Sequence, residues 1–440
     1  MASLAFYTYW SPVHLILLLG SIAFNYAIAG RAVKTDSKSW VHIGVLINLL
    51  VLAYFKYALF IGGIASDLAG RPFDLGKIVL PLGISFFTFH QITYLYDTYN
   101  KNVPRVGLRD YILYISFFPQ LIAGPVVRAH EFLPQLTPYK GDQFFWRNNA
   151  VGLSLFAMGL FKKVVFADQF AIYANQVFDD PAKAQILSSA DSWVGALAYT
   201  FQLYFDFSGY SDMALGLALM FGFKLPINFY SPYKAGNIAE FWKRWHMTMS
   251  RFFRDYLYIP LGGSRCSKKR HIFNLVITMT LVGLWHGAGW TFILWGFLHG
   301  VYLAIHRTYR WIVKEHPFTK AVSYKIFAQI LTFICVVFAW VIFRAENAEQ
   351  AGQLIENMWG ITNTDIVYHG GRKAIVWILA GYIACLLLPS SMAFFRFAGQ
   401  EGPITLRFSP NAKNMIMLAF TFGLSLLMLT RVSEFLYFEF

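Results

Sequence analysis

The chain has 440 residues, of which 57% are hydrophobic, 19% aromatic and 14% charged, and its formal net charge is +14. Soluble domains carry about 25% charged residues and about 45–50% apolar ones, so no soluble domain of ordinary size accounts for this composition. The positive charge would suit nucleic acid, but no nucleic-acid-binding motif accompanies it; cations gathered in the cytoplasmic loops of a membrane protein explain it instead.

Apolar runs near the roughly 20 residues that cross a bilayer recur from end to end, which predicts an all-α polytopic membrane protein. The first run, 12–30, lacks the preceding basic residues of a secretory signal and reads as an uncleaved span. Arg31, Lys34 and Lys38 follow it and favour a cytoplasmic end there. Further segments are expected at 41–62, 78–96, 111–127, 150–171 and 193–222, then at 272–289, 291–306, 328–343, 374–388 and 415–429. Together they make about eleven transmembrane or re-entrant helices. Pro81, Gly83, Pro119, Gly124 and Pro125 interrupt two of these runs, as in broken helices whose backbone is covered by protein or water. Lys162 and Lys163 lie inside an apolar run and predict a helix that meets an interface or a cavity.

Asp206, Ser208, Tyr210 and Asp212 fall inside the 193–222 run, at or near membrane depth. The two carboxylates are six residues apart and do not share a face of one straight helix; Gly209 is the candidate bend between them. Structural roles are expected for most of this polar cluster, through backbone amides or an Arg of the basic region. At most one member would orient a histidine.

The longest loop runs from 223 to 271. Between Lys234 and Arg270 it holds nine Lys or Arg against two acids, Glu240 and Asp255. Phe241-Trp242-Lys243-Arg244-Trp245-His246 alternates aromatics with cations, as amphipathic segments at a membrane interface do. Anionic lipid accounts for the charge, and an electropositive mouth for a polyanionic substrate accounts for it as well.

Gly283-Leu284-Trp285-His286-Gly287 then places an imidazole in an apolar run. Ionisable groups at membrane depth mark pathways or reaction centres, and histidine is the side chain best suited to moving a proton near neutral pH. A core histidine bonded to a neighbouring backbone is the plain alternative. No metal is expected, because His286 and His299 are thirteen residues apart with no acid or thiol nearby. His90 and His299 sit in aromatic-rich runs and read as packed. His14, His42, His271, His306, His316 and His369 lie near segment ends and read as solvated. Cys266, Cys335 and Cys385 are too widely spaced for a disulfide framework. No phosphate loop, G-x-S-x-G elbow or H-E-x-x-H motif occurs.

Four motifs in order carry a resemblance: Tyr204-Phe205-Asp206-Phe207-Ser208-Gly209-Tyr210-Ser211-Asp212, Phe241 to His246, Arg254-Asp255-Tyr256-Leu257-Tyr258-Ile259-Pro260-Leu261-Gly262-Gly263, and Gly283 to Gly287. With Leu80-Pro81-Leu82-Gly83-Ile84-Ser85-Phe86, Leu121-Ile122-Ala123-Gly124-Pro125 and the terminal Phe435-Leu436-Tyr437-Phe438-Glu439-Phe440, the chain resembles the membrane-bound O-acyltransferase family over nearly its whole length. Within that family it is most similar to the bacterial alginate O-acetyltransferase membrane subunit branch.

The resemblance implies one integral membrane domain over 1–440, a ring of helices around a central funnel, and multi-pass residence in the bacterial cytoplasmic (inner) membrane. Relatives of this branch begin with a further apolar hairpin, so the chain is expected to start after it. The implied activity passes an acetyl group from cytoplasmic acetyl-CoA to an extracytoplasmic polysaccharide, directly or through a periplasmic partner of the SGNH-hydrolase type. No permanently bound cofactor is implied; partners are acetyl-CoA, that protein, the polysaccharide and membrane lipid, with no nucleic acid. His286 would be the family's catalytic His and His246 the second. Lys243, Arg244, Arg251 and Arg254 are plausible contacts for the donor's phosphates, and Asp206, Ser208, Tyr210, Asp212 and Trp285 form a supporting cluster. Transfer of D-alanine or another acyl group, a polysaccharide-linked transporter and a non-catalytic scaffold are the competing readings.

Overall fold

A computed structural model of the chain describes residues 2–73, 75–122, 124–136, 142–314, 316–361, 371–395, 411–429 and 436. The described residues form helices and connecting segments, with no strand among them. The chain divides into two compact units, Met1–Phe156 with Ala214–Pro226, and Ala157–Met213 with Ile227–Phe440. His369 and nearly all of the terminal 435–440 motif lie outside the described residues.

The first unit holds α1 (Ala2–Trp10), α2 (Pro12–Thr35), α3 (Lys38–Ala69), α4 (Ile84–Tyr99), α5 (Leu108–Ser116), α6 (Phe118–Leu121), α7 (Ala129–Phe132) and the start of α8 (Asp142–Phe161). Ser11 caps α2 by accepting the His14 N–H, and Pro12 occupies the first helical position, where its missing N–H costs nothing. Apolar helices in lipid gain specificity from interhelical hydrogen bonds. Here Asn25 of α2 donates to Gln91 Oε1 of α4 at 2.8 Å, and Asn48 Nδ2 of α3 donates to Asn25 Oδ1 at 2.6 Å. The expected 78–96 segment becomes helical only at Ile84. Gly83 before it takes φ 68°, and a Cβ there would lie 2.5 Å from the Leu121 carbonyl oxygen, so glycine is required twice over. The 111–127 run is broken between α5 and α6, just before Pro119, as its prolines predict. His90 is fully buried, and its Nε2 accepts the Val127 N–H at 3.3 Å, which makes it the packed residue expected.

The second unit begins within α8, which passes through a π-helical turn, Lys162–Ala167, into α9 (Asp168–Phe178). Next come α10 (Ser189–Met220), whose last turns belong to the first unit, α11 (Ile238–Trp242), α12 (Met247–Phe253) with a π turn Arg254–Tyr258, α13 (Lys268–His286), α14 (Trp290–Val313) and α15 (Val322–Arg344). The remaining helices are α16 (Ala348–Met358), α17 (Gly371–Leu386), α18 (Ser391–Phe394) and α19 (Ala412–Met428). Each expected segment lies on one or more of these helices. α1, α7, α16 and α18 lie outside the expected segments. Among the described residues four helical stretches, Pro12–Thr35, Lys38–Ala69, Phe145–Phe178 and Val322–Arg344, are long and apolar enough to cross a membrane.

The polar stretch of α10 departs from expectation in two ways. Gly209 is not a bend: α10 runs unbroken through it, and a Cβ there would lie 2.7 Å from the Gly159 carbonyl, so this glycine lets two helix backbones touch. The carboxylates pair with lysines, not with an Arg of the basic loop. Lys162 Nζ donates to Asp212 at 2.7 Å, and Lys163 sits 2.7 Å from Asp206 and 3.0 Å from Asp168. Consecutive lysines on the π turn diverge, and so reach two carboxylates that α10 separates by about 9 Å along its axis.

Candidate active site

All of the candidate chemistry lies in the second unit. α13 and α14 form a hairpin whose backbones touch. A Cβ on Gly300 would lie 2.7 Å from the Val276 Cα, and one on Gly283 would lie 2.9 Å from the Gly296 Cα. His286 is the last residue of α13, and the following Gly287 is extended, its N–H bonded to the Gly283 carbonyl. The imidazole is 6% exposed, with its ring centroid 5.2 Å from Trp295, 5.4 Å from Phe343 and 4.7 Å from Trp285. Aromatic faces on several sides keep bulk water from it.

His246 precedes α12 with φ 41° and ψ 53°, a left-handed conformation that costs a residue with a Cβ about 1–2 kcal/mol. Its neighbours hold it there. Tyr230 N–H donates to the Arg244 carbonyl and Met247 N–H to the Asn228 carbonyl, each at 2.9 Å. The ring is fully buried, 4.7 Å from the Phe207 ring, and its Nδ1 lies 3.1 Å from Asn228 Oδ1. The same Asn228 atom receives the Thr248 backbone N–H at 3.3 Å and the Thr248 hydroxyl at 2.9 Å. A backbone N–H only donates, so that atom is the oxygen, and His246 Nδ1 must carry the proton. Nε2 is therefore the basic nitrogen. Asn228 Nδ2 completes the chain by donating to Ser211 Oγ of α10 at 3.3 Å.

The two imidazoles have ring centroids 6.5 Å apart. With both rings turned inward, about 4 Å would still separate their nitrogens, beyond direct hydrogen-bond reach. The gap is wide enough for one polar group between the two rings.

A sequence model described as the MBOAT, membrane-bound O-acyltransferase family matches residues 73–346. The chain belongs to the membrane-bound O-acyltransferase family. It is 44% identical over 397 residues to the peptidoglycan O-acetyltransferase of Helicobacter pylori, covering 84% of this chain and 74% of that protein. It is 43% identical over 374 residues to the probable alginate O-acetylase AlgI of Pseudomonas aeruginosa, covering 82% and 68% respectively. The teichoic acid D-alanyltransferase of Streptococcus thermophilus is more distant, 31% identical over 253 residues, or 54% of this chain and 59% of that one. The protein is thus a membrane-bound acyltransferase.

Within this acyltransferase the structure brings His246, His286 and Trp285 together; the His246 and Trp285 rings are 6.2 Å apart. Asp206 and Asp212 serve the lysine pairs described above. Ser208 is buried on α10, and Tyr210 is half-buried there. The four candidate cations separate. Arg244 pairs with Glu240 at 2.7 Å, and Arg254 pairs with Asp255 at 2.7 Å, whose carboxylate holds that guanidinium above its usual range. Arg251 is half-buried on α12, and Lys243 is exposed at the mouth of a cavity.

The aromatic face of this loop packs on protein. Trp242 donates to His299 Nδ1 at 3.3 Å, and Phe241 stacks on Trp245 at 5.6 Å. The expected interfacial segment is therefore largely a core element with an exposed cationic edge. His271 departs from expectation as well, being buried at 5% exposure. Asn228, Thr248 and Ser211 are residues that sequence reasoning missed as partners of His246. Nothing in their spacing links them to it, because the connection is tertiary. The Asp97–His130 pair of the first unit, at 2.9 Å, was likewise not foreseen.

Proposed function

We propose that this membrane-bound acyltransferase transfers an acetyl group from acetyl-CoA, taken from the cytoplasm, toward hydroxyls of an extracytoplasmic polysaccharide. The observation that carries the reading is the buried pair of imidazoles 6.5 Å apart, with the proton of His246 fixed on Nδ1. Relatives named as acetylating peptidoglycan and alginate support the acyl group and the acceptor class.

In this reading His286 takes the proton of the attacking hydroxyl. The oxygen forms its bond to the thioester carbonyl carbon, the carbon–sulfur bond breaks, and the thiolate leaves with the proton returned by the imidazolium. An acyl-imidazole on His286 is the covalent variant of the same transfer. His246 positions the reacting group, while Asn228 keeps its ring in one tautomer. Direct transfer and relay through a periplasmic SGNH-type protein both use this centre. The reading includes the ring of about eleven helices around a funnel in the inner membrane. Carboxylates that a transporter would use are engaged by Lys162 and Lys163, which favours chemistry over transport.

The test is thioester loss by purified protein in nanodiscs supplied with labelled acetyl-CoA, with and without a periplasmic extract. Wild type should release free thiol and a folded His286→Ala variant should not. Turnover only of an acyl-carrier thioester would move the reading to the D-alanyl branch. Equal product from wild type and His286→Ala would sink it.

A further inference from the structure

At the end of the α13–α14 hairpin remote from His286 lies a cavity of about 590 Å³. Lys243 after α11, His271 on α13, and His306, Arg307 and Arg310 on α14 line it, and Glu240 is the one acid among its described lining residues. Glu240 is already engaged, accepting from Arg244 at 2.7 Å and from the Gly236 N–H at 3.0 Å. Among the described residues no carboxylate pairs with Lys243, Arg307 or Arg310. Three full cations and two imidazoles thus face one concave space whose one acid among the described residues, Glu240, is engaged by Arg244, an arrangement that concentrates anions. The Trp311 ring braces it, 5.7 Å from His271 and 5.5 Å beneath the Arg307 guanidinium. Guanidinium forks match the paired oxygens of phosphates and carboxylates.

The hairpin sets a distance. His271 and His286 are the fourth and last residues of the 19-residue α13, about 22 Å apart along its axis. Trp295, which packs on His286, and Arg310 are separated by the same span of α14. An anion held in the cavity can present a reactive group to His286 only at the end of a long arm.

We propose that this cavity binds the phosphorylated nucleotide head of the acyl donor while its thioester reaches along the hairpin toward His286. The proposal rests on the acyl-transfer reading above, and it moves the donor contacts from Arg244, Arg251 and Arg254 to Arg307, Arg310, His271 and His306, keeping Lys243. A wider, mainly apolar groove of about 830 Å³ between α14 and α15 shares His306 and Arg310 with the cavity. A phospholipid headgroup is therefore the rival source of the same phosphate chemistry.

The experiment pairs calorimetry with steady-state kinetics in an uncharged detergent, comparing wild type, Arg307→Gln/Arg310→Gln, Arg310→Lys and the exposed control Lys269→Gln, after melting curves have shown all four folded. The binding probe is adenosine 3′,5′-bisphosphate, which has no arm and no acyl group. Wild type should bind it, and the double variant should bind it at least about tenfold more weakly, equivalent to about 1.4 kcal/mol. The same variant should raise the KM for acetyl-CoA by a similar factor, with kcat at saturation within about twofold of wild type. Arg310→Lys should recover part of the loss, and Lys269→Gln should match wild type. An unchanged KM in an actively turning-over double variant overturns the proposal. So does a bisphosphate that neither binds nor competes, while phosphatidylglycerol nanodiscs protect the cavity arginines from modification. A wild type that cleaves no thioester defeats the acyl-transfer reading instead. Calorimetry then decides the cavity by itself: bisphosphate binding lost in the double variant upholds a phosphate site, and no binding refutes it.

Discussion

His246 illustrates how a side chain becomes chemically specific through its surroundings. Its left-handed backbone and its Nδ1 proton are both fixed by the Asn228 segment. Replacing Asn228 with Leu removes the oxygen to which the Thr248 N–H and hydroxyl both donate, at a cost of about 1–3 kcal/mol. Turnover should fall at least tenfold, by about the same energy. Thr248→Val deletes one hydroxyl bond and should have the smaller effect on both melting temperature and kcat; the reverse order would break the tautomer argument. His286→Ala should reduce turnover by about 10²–10⁴, the range typical of a lost general base, without lowering the melting temperature comparably. His286 was legible in the sequence because an imidazole in an apolar run is rare on energetic grounds. Asn228 was not, since nothing local distinguishes a polar loop residue that will meet a histidine. His271 was misjudged for the same reason: proximity to a helix end does not reveal the α14 residues that cover it.

Helices are held here by glycine contacts and by buried ion pairs, and each makes its own prediction. On α13 and α14, Gly283 and Gly296 meet backbone to backbone. Gly296→Val forces the helices apart and should cost about 1–3 kcal/mol, as overpacking does, while displacing Trp295 from His286 and so lowering kcat. Thermal unfolding and turnover measured on one preparation check both. Lys162 and Asp212 have side chains only 13% and 6% exposed. Breaking such a pair by removing one partner strands a buried charge and costs about 3–5 kcal/mol, whereas replacing both by apolar residues is often neutral. Asp212→Leu should therefore be the least stable variant, and Lys162→Met/Asp212→Leu should recover most of the loss. A double variant no better than the single one would refute the account. Segment positions were readable from apolar length alone. The role of Gly209 was not, because a glycine that bends a helix and one that admits a neighbour look alike until the neighbour is present. The aromatic face of α11 was misread for a related reason: an apolar stripe fits lipid and protein equally well.

Over the whole chain, composition and charge separated a membrane protein from a nucleic-acid binder, and the ordered motifs carried the family. They did not separate the two compact units, since no linker or change of composition marks the crossings inside α8 and α10. Orientation follows from charge. Nine cations between Lys234 and Arg270 favour a cytoplasmic position for that region. In a variant with Cys266, Cys335 and Cys385 replaced by Ser, a single Lys269→Cys should resist membrane-impermeant maleimide in intact spheroplasts and react after the cytoplasmic face is opened. Labelling in the intact cells would put the basic cavity on the wrong side for a cytoplasmic donor.

The π turn at Lys162–Ala167 bears on mutational tolerance by length as well as by identity. A π turn is an α-helix carrying one residue too many. Deleting a single codon there would restore a regular helix with little rotation of α9 relative to α8, and would close the widened turn from which the two lysines diverge. Lys162 and Lys163 could then no longer both keep their carboxylates. Triplet gaps in this stretch should be purged as strictly as gaps beside His246, although nothing in it needs to touch a substrate.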